Sequence, residues 1–255
     1  MASSVNSSGN HPYIPSTDSE RAKMLDVIGV ESLDGLLGDI PVEYRHPKLD
    51  IDVGLSEQEL STVFGSIAAE NASSSSGYIS FLGAGSYSHY IPSTVRSILQ
   101  RGEFVTAYTP YQPEAAQGTL QVGFEFQTII CQLTGMEVAN AGMYDGPTAF
   151  AEACLMAVRI TKRTKIGVLS TADRRLPDTL LAYSKYQGIE VVEISANATE
   201  IPDDLACVGV QSPNFFGEIE DVERLTNLAH TNGSLSVVHV NPTALGMFKA
   251  PGEFD

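Results

Sequence analysis

The sequence predicts an α/β fold with a mainly parallel sheet, preceded by a helical N-terminal segment. From residue 165 onward, short apolar stretches alternate with segments of helical periodicity. Strands separated by helices pair in parallel through right-handed crossovers. Before residue 70 the chain instead carries helix-capping patterns, which predict short helices without a sheet.

The N-terminal segment contains three predicted helical stretches. Residues 16–18 can cap a helix that ends at Gly29, and residues 32–41 supply a further turn. Residues 42–56 are predicted to be an extended linker. Ser56, with Glu59 three residues later, forms a capping-box pattern that predicts the start of the last helix.

The next part of the chain is predicted to consist of loops around two short elements. A strand is predicted at residues 78–82, a helix at 93–101 and a polar loop at 106–118. Within that loop, AYTPYQPE at 107–114 combines two tyrosines with two prolines. Proline fixes φ, so a stiff, extended loop is expected. A binding loop and an ordinary surface loop explain it equally well.

Two helices are predicted before the alternating region. Residues 120–133 carry apolar side chains at spacings of three and four, and Gly135 ends that helix. A short strand is predicted at 137–140. A second helix, at 148–160, follows Asp145, Gly146 and Pro147, and its free N–H groups with the Thr148 hydroxyl form a candidate anion site. A simple N-cap explains the same residues.

The alternating region accounts for the predicted sheet. Strands are predicted at residues 165–170, 190–194, 205–211 and 235–240, and helices at 177–187 and 221–230.

Composition narrows the possible functions and locations. The net charge of −16 disfavours nucleic acid as a partner, since a phosphate-binding surface needs a basic patch. No run approaches the roughly 18 apolar residues of a membrane span. Three widely spaced cysteines without a C-x-x-C pair indicate reduced thiols, and the start of the chain resembles no leader peptide. We therefore expect a cytoplasmic protein that contacts neither nucleic acid nor membrane.

The segment FLGAGSYSHY leaves three interpretations open. Gly83 and Gly85 fit the start of a dinucleotide-binding G-x-G-x-x-G motif, but Ser88 stands in the third glycine position and no second strand–helix unit follows. A plain turn explains the glycines, and so does a loop that carries Ser88 and His89 to a surface. The five histidines show no metal-ligand spacing, so no metal is expected.

Six stretches cover nearly the whole chain from Tyr13, and two of them, AYTPYQPE and MYDGPTA, are specific in combination. The stretches are YIPSTDSERAKML, FLGAGSYSHYIPS, RGEFVTAYTPYQPEAAQGTLQ, NAGMYDGPTAFAEA, VQSPNFFG and NPTALGMFKAPGEFD. Together they resemble the N-terminal half of the glycine cleavage system P-protein, in the split form whose alpha subunit is subunit 1.

This resemblance implies a fold-type-I pyridoxal-phosphate (PLP) enzyme architecture and a glycine dehydrogenase (decarboxylating) activity. P-protein decarboxylates glycine and passes the aminomethyl group to the lipoyl arm of H-protein, with PLP as the electron sink. In the split family, the beta subunit (subunit 2) supplies the lysine and the aspartate that hold PLP. Residues 238–242 of this chain, VHVNP, lack that aspartate, and Lys249 lies in a non-catalytic stretch. The resemblance implies no Schiff-base lysine and no catalytic residue of this chain's own.

The resemblance also assigns residues to the site formed with the beta subunit. These would line the glycine and lipoyl pocket by hydrogen bonding and shape, and they are Ser88, His89, Tyr108, Thr109, Tyr111 and Gln112. Three more would form a degenerate phosphate cup, and they are Asp145, Gly146 and Thr148.

The expected organisation has three parts: an N-terminal helical arm at 1–75, interface loops at 76–118, and an incomplete large domain at 119–255. Family members continue past GEFD, so a chain truncated at its C-terminus and a heterotetrameric assembly are expected. Two alternatives stand beside this interpretation. One is a non-catalytic truncated scaffold or binding chain, and the other is a different fold-type-I PLP enzyme.

Overall fold

In the computed structural model the chain divides into two units, Met1–Ala72 and Ser73–Asp255. The structure describes residues 15–45, 47, 50, 54–73, 76–85, 87–105 and 109–254. The predicted boundaries at residues 75 and 118 stay predictions.

The first unit contains the predicted helices. Helix α1, Asp18–Ile28, begins at a capping box between Thr17 and Glu20 and ends at Gly29 in the left-handed conformation. Two 3-10 turns follow at Leu33–Leu37 and Val42–Tyr44, and helix α2 spans Glu57–Ala69.

Two of these features bear on the sequence predictions. Helix α2 begins at the predicted capping box between Ser56 and Glu59. The linker prediction for 42–56 is wrong at its start, because the 3-10 turn holds residues 42–44. The Arg45 side chain donates to the carbonyls of Ile40 and Gly38 there and closes that bend.

The second unit begins with helices. Helix α3 is Ser93–Leu99, α4 is Gly102–Val105 and α5 is Pro113–Thr134. The prediction of a loop as far as residue 118 is wrong from residue 113 onward. Pro113 has the φ of a first helical residue and needs no hydrogen-bonded N–H there, so it starts α5 instead of prolonging the loop. Gly135 ends α5 as predicted.

Two short predicted strands are not strands in the structure. At residues 78–82 the apolar side chains are exposed, with Phe81 at 94%, and a single extended segment without a neighbour has no ladder to join. At residues 137–140 the Ala139 carbonyl accepts a hydrogen bond from the Gln127 side chain on α5, at 2.6 Å, in place of a strand partner.

A four-stranded parallel sheet forms the centre of the second unit, as predicted. Its strands are β1, Lys165–Leu169; β2, Glu190–Ile194; β3, Leu205–Gln211; and β4, Leu235–His239. The strand order is β2-β1-β3-β4, and all three pairings are parallel. The ends of β3 and β4 lie side by side, because Gln211 is in register with His239.

Helices cover both faces of this sheet. Helix α6, Gly146–Thr161, and α7, Arg175–Ser184, pack with β1 on one face, where Phe150, Ile166 and Leu180 are buried. Helix α8, Val222–Thr231, packs on the other face against Leu205 and Val208. Both faces of β3 are therefore buried, which explains its unbroken apolar sequence. None of the described helices is long and apolar enough to cross a bilayer.

Candidate functional site

The carboxyl ends of the parallel strands meet at one edge of the sheet, where ligands bind in open α/β folds. Asp173 follows β1, Gln211 ends β3, and His239 ends β4. The first turn of α6 reaches the same edge, because Gly146 lies directly beneath the His239 ring. These residues come from four separate elements, so the fold itself assembles the candidate site.

The predicted phosphate cup is a capped helix start. The Thr148 N–H donates to the Asp145 carboxylate at 2.8 Å, and the Thr148 hydroxyl donates to the same oxygen at 2.8 Å. These two hydrogen bonds lower the pKa of Asp145 below its ordinary value. A donor that a phosphate would use is therefore occupied by a fixed negative charge.

His239 closes the space above this turn. A Cβ added at Gly146 would lie 2.7 Å from the imidazole Cε1, so only glycine lets the ring approach the backbone so closely. Phe150 meets the imidazole edge-on, with ring centroids 6.4 Å apart. Burial lowers the pKa of His239, an effect that the negative charge of Asp173 opposes. A neutral, packed imidazole is the result.

The residues of this chain at the sheet edge are not suited to anchor PLP. The cup holds the Asp145 carboxylate and lies under the His239 ring. The loops that follow β1, β2 and β3 contain no lysine, and β4 leads to Asn241 in place of a carboxylate. Lys165 starts β1 at the opposite edge and pairs with Asp204 at 2.8 Å, while Lys249 lies over the Phe254 ring.

Among the described residues there is also no cluster of three or more histidine, cysteine or acidic side chains suited to a metal ion.

The predicted lining residues that the structure describes are exposed, and one of them reaches the sheet edge. The His89 Nε2 atom lies 3.5 Å from the Asn241 side-chain nitrogen, just beyond β4, and Ser88 is the exposed residue before it. The structure thus brings His89 next to Asn241, two residues beyond His239. Asn241 also accepts a hydrogen bond from the Thr243 N–H, which fixes its orientation.

The proline-rich segment presents its side chains to the surface. Thr109, Tyr111 and Gln112 are exposed, and the Tyr111 N–H donates to the Thr109 carbonyl at 2.9 Å. Gln112 is the N-terminal boundary of α5, and Tyr108 lies outside the described residues. Within the described part of the chain, no hydrogen bond joins residues 109–112 to His89 or to the cup. Their assignment to one pocket stays a prediction.

Sequence reasoning did not single out an ion pair that lies between these parts. The Arg175 guanidinium holds the Asp173 carboxylate, and the Asp173 N–H donates to the Gln211 side chain at 2.6 Å. Arg175 lowers the pKa of Asp173 through this hydrogen bonding, against the opposing effect of burial. The sequence signal for this pair is an acidic residue four positions after the end of a strand, followed two positions later by an arginine.

A second buried polar group shapes the loop after β3, in the stretch VQSPNFFG. Asn214 is 1% exposed, and its side-chain oxygen accepts from the N–H groups of Phe216 and Glu218 at 2.9 and 3.0 Å. Its amide nitrogen donates to the Glu220 carboxylate at 2.7 Å. The loop is therefore rigid, and it presents Phe215 and Phe216 edge-to-face at its tip.

Comparison with known families gives one consistent result. The sequence model of the glycine cleavage system P-protein matches residues 11–255. A probable glycine dehydrogenase (decarboxylating) subunit 1 of Geobacillus thermodenitrificans is 46% identical over 96% of this chain and 56% of its own length. The protein of the same name from Halalkalibacterium halodurans is 48% identical over 96% of this chain and 57% of its own length. The chain thus spans about half the length of these relatives.

Solved structures give the same result for the fold. A crystal structure of glycine decarboxylase (P-protein) of the glycine cleavage system, in inhibitor-bound form, matches with a TM-score of 0.83 and 38% identity, over 96% of this chain and 56% of that one. Sphingosine-1-phosphate lyase of Burkholderia pseudomallei shares the fold alone, with a TM-score of 0.52 and 12% identity over 78% of this chain and 51% of its own. The predicted fold-type-I class is confirmed, and the chain belongs to the glycine cleavage system P-protein family.

Proposed function

We propose that this chain acts as the alpha subunit, subunit 1, of a two-subunit glycine dehydrogenase (decarboxylating). The match to subunit 1 proteins over 96% of the chain carries this proposal. In the proposed complex, glycine loses carbon dioxide and its aminomethyl group passes to the lipoyl arm of H-protein. Because the chain spans about half of its relatives' length, we assign the activity to the complete subunit pair.

The proposed partner, the beta subunit, anchors PLP, which supplies an electron sink for the carbanion left by decarboxylation. Support comes from this chain's own sheet edge, where a carboxylate caps the cup and an imidazole covers it. We place the complex in the cytoplasm as a heterotetramer. All three cysteines are free thiols, which suits a reducing compartment.

The exposed loops of this chain have a shaping role in the proposal. Ser88, His89, Thr109, Tyr111 and Gln112 have side chains open to contact a substrate held by the partner, and Tyr108 belongs to the same proposed set. Since proline fixes the backbone beside Tyr111, little entropy remains to be lost when that side chain makes a hydrogen bond. We assign these residues to binding and orientation, and none of them to proton abstraction.

Reconstitution tests the proposal. The full-length subunit is mixed with subunit 2, PLP and lipoylated H-protein, and exchange of labelled carbon dioxide into glycine is measured. Exchange that requires both subunits supports the proposal. Exchange by subunit 2 and H-protein alone, at an undiminished rate, contradicts it.

Substitution of Tyr111→Phe tests the loop. Loss of one hydrogen bond that strengthens in the transition state is expected to slow exchange by about tenfold, without preventing subunit association. Tyr186→Phe is the matched control, since Tyr111 and Tyr186 are 83% and 88% exposed and Tyr186 lies beyond the end of α7. Equal rates for the two variants remove the role given to Tyr111.

The comparisons do not favour the two alternative functions, and each has its own readout. A self-sufficient PLP enzyme would show the absorbance of a lysine-bound coenzyme when this chain is incubated with PLP alone. A scaffold chain would associate with subunit 2 while adding nothing to the exchange rate.

A further inference from the structure

The carboxylate of Asp173 is fixed at the sheet edge from two directions. Asp173 is 7% exposed, and its N–H donates to the Gln211 side chain on β3. Its two oxygens both accept from the Arg175 Nε at 3.0 Å, and Oδ1 also accepts from the Arg175 backbone N–H at 2.9 Å. Hydrogen bonds to both carboxylate oxygens therefore hold the guanidinium in one orientation.

The same guanidinium reaches a distant part of the chain. Its Nη2 donates to the Ala84 carbonyl at 3.3 Å, across 91 positions of sequence. Gly83, Ala84 and Gly85 all have left-handed φ values, of 64°, 54° and 79°. That conformation is unfavourable for a non-glycine residue, and the bond from Arg175 helps to hold Ala84 in it.

Gly85 shows how closely the two parts fit. A Cβ at this position would overlap the Arg175 Nη2 atom and lie 3.3 Å from the Asp173 carboxylate. Gly83 has a similar φ but open space around its Cβ position. The left-handed backbone at 85 favours glycine, and any added side chain would also have to displace the Arg175 guanidinium.

We propose that Arg175 is a positioning residue that, with Asp173, latches the 83–85 turn to the carboxyl edge of the sheet. The latch sets the following segment so that His89 lies beside Asn241 at the site. This inference rests on the proposed function, which is what gives His89 a role at the site. The alternative is that the ion pair only supports the start of α7, where Arg175 is the first residue.

Limited digestion with chymotrypsin tests the latch on the full chain. The protease cuts after aromatic residues, and Phe81, Tyr87 and Tyr90 flank the latched turn. Arg175→Ala is expected to raise cleavage at these sites by about tenfold, the ratio that loss of one charge-assisted hydrogen bond gives. Arg174→Ala is the matched control, since Arg174 is 90% exposed and, among the described residues, its side chain pairs with Asp178 alone, in the first turn of α7.

Cleavage after Tyr186 in the same digest serves as the internal reference. A rise confined to the 81–90 sites supports the latch. An equal rise at Tyr186 shows that Arg175 only supports α7. Equal cleavage rates at the 81–90 sites in the Arg174 and Arg175 variants show that Arg175 does not hold the 83–85 turn. Either result overturns the proposal.

A glycine pair gives an independent test. Gly85→Ala should accelerate cleavage more than Gly83→Ala, because only the former displaces the guanidinium. In an Arg175→Ala background, the two alanine variants should have equal effects. If Gly85→Ala keeps its excess in that background, its effect does not pass through Arg175 and the latch is refuted.

The exchange assay then measures the positioning role. Arg175→Ala should lower the exchange rate of the reconstituted complex, and Arg175→Lys should lower it too, because one ammonium cannot hold Asp173 and Ala84 together. Accelerated cleavage with undiminished exchange overturns the positioning role. Cleavage does not depend on activity, so a failure of the proposed function and a failure of the latch give different results.

Discussion

His239 shows how one side chain decides what a site can hold. Its ring occupies the space above the first turn of α6, and Gly146 is the residue that permits this approach. The side chain is half-buried, and Asp173 and Arg175 oppose each other in their effects on its charge. This histidine acts as a packing element at the sheet edge.

The lowered pKa of His239 gives a testable pH dependence of stability. As pH falls below about 6.5, the unfolded chain takes up a proton that the folded chain refuses, so this residue contributes a loss of stability between pH 6.5 and its lower native pKa. Below the native pKa the loss stops growing. Urea unfolding at pH 7.5 and 5.5 should show a smaller loss for His239→Gln than for the wild type. A loss of equal size in both proteins contradicts this assignment.

At the scale of elements, α6 and β3 approach so closely that a side chain is excluded. A Cβ at Gly209 would overlap the ring of Phe150, which is 3% exposed. This contact holds the start of α6 against the sheet and so places Asp145 and Thr148 at the carboxyl edge. The position of the cup therefore depends on a glycine in the middle of a strand.

Gly209→Ala should lower the free energy of unfolding by about 1–3 kcal/mol through overpacking against Phe150. Gly123→Ala is the control, because Gly123 lies in α5 with open space at its Cβ position. The control should raise stability by about 0.4–1 kcal/mol. Urea unfolding measures both, and a neutral Gly209→Ala would show that the ring moves aside at no cost.

In this chain an apolar run in the sequence predicts a strand correctly when that run is buried in the sheet. Strands β2 and β3 have the predicted limits, 190–194 and 205–211, because their apolar runs are bounded by polar turns. The apolar run at 78–82 misled the prediction, since hydrophobicity without a neighbouring strand does not form a ladder.

The candidate site could be predicted only in part for a related reason. Asp145 and Thr148 are neighbours in sequence, and their cap follows from a local motif. The Asp173–Arg175 contact with Ala84 joins residues 91 positions apart, so no local pattern encodes it. The Asn241 contact with His89 is longer still in sequence, at 152 positions.

Over the whole molecule, the three cysteines differ in burial, so their reactivity measures how readily the second unit unfolds locally. Cys154 on α6 and Cys207 on β3 are fully buried, and Cys131 on α5 is half-buried. A hydrogen bond with Cys207, together with burial, raises the pKa of the Cys154 thiol. Since the thiolate is the reactive form, Cys154 is protected from reagents both by burial and by its raised pKa, and Cys207 is protected by burial.

A thiol-specific chromogenic reagent should therefore react in two stages. Cys131 reacts first in the native chain, and Cys154 and Cys207 react only as fast as the sheet layer opens. Cys131→Ser should abolish the first stage and leave the second. Simultaneous reaction of all three thiols in native buffer would show that the sheet opens far more readily than its burial indicates.

The cap at Asp145 has a consequence for whether this chain could come to hold a coenzyme by itself. Replacing the Asp145 carboxylate would leave the His239 imidazole over the cup. Replacing the imidazole would leave the carboxylate, whose negative charge repels a phosphate. Neither change would supply an amine to bond a coenzyme. Neither substitution alone therefore opens a coenzyme site, so in the proposed complex this chain's reliance on subunit 2 for PLP is hard to reverse.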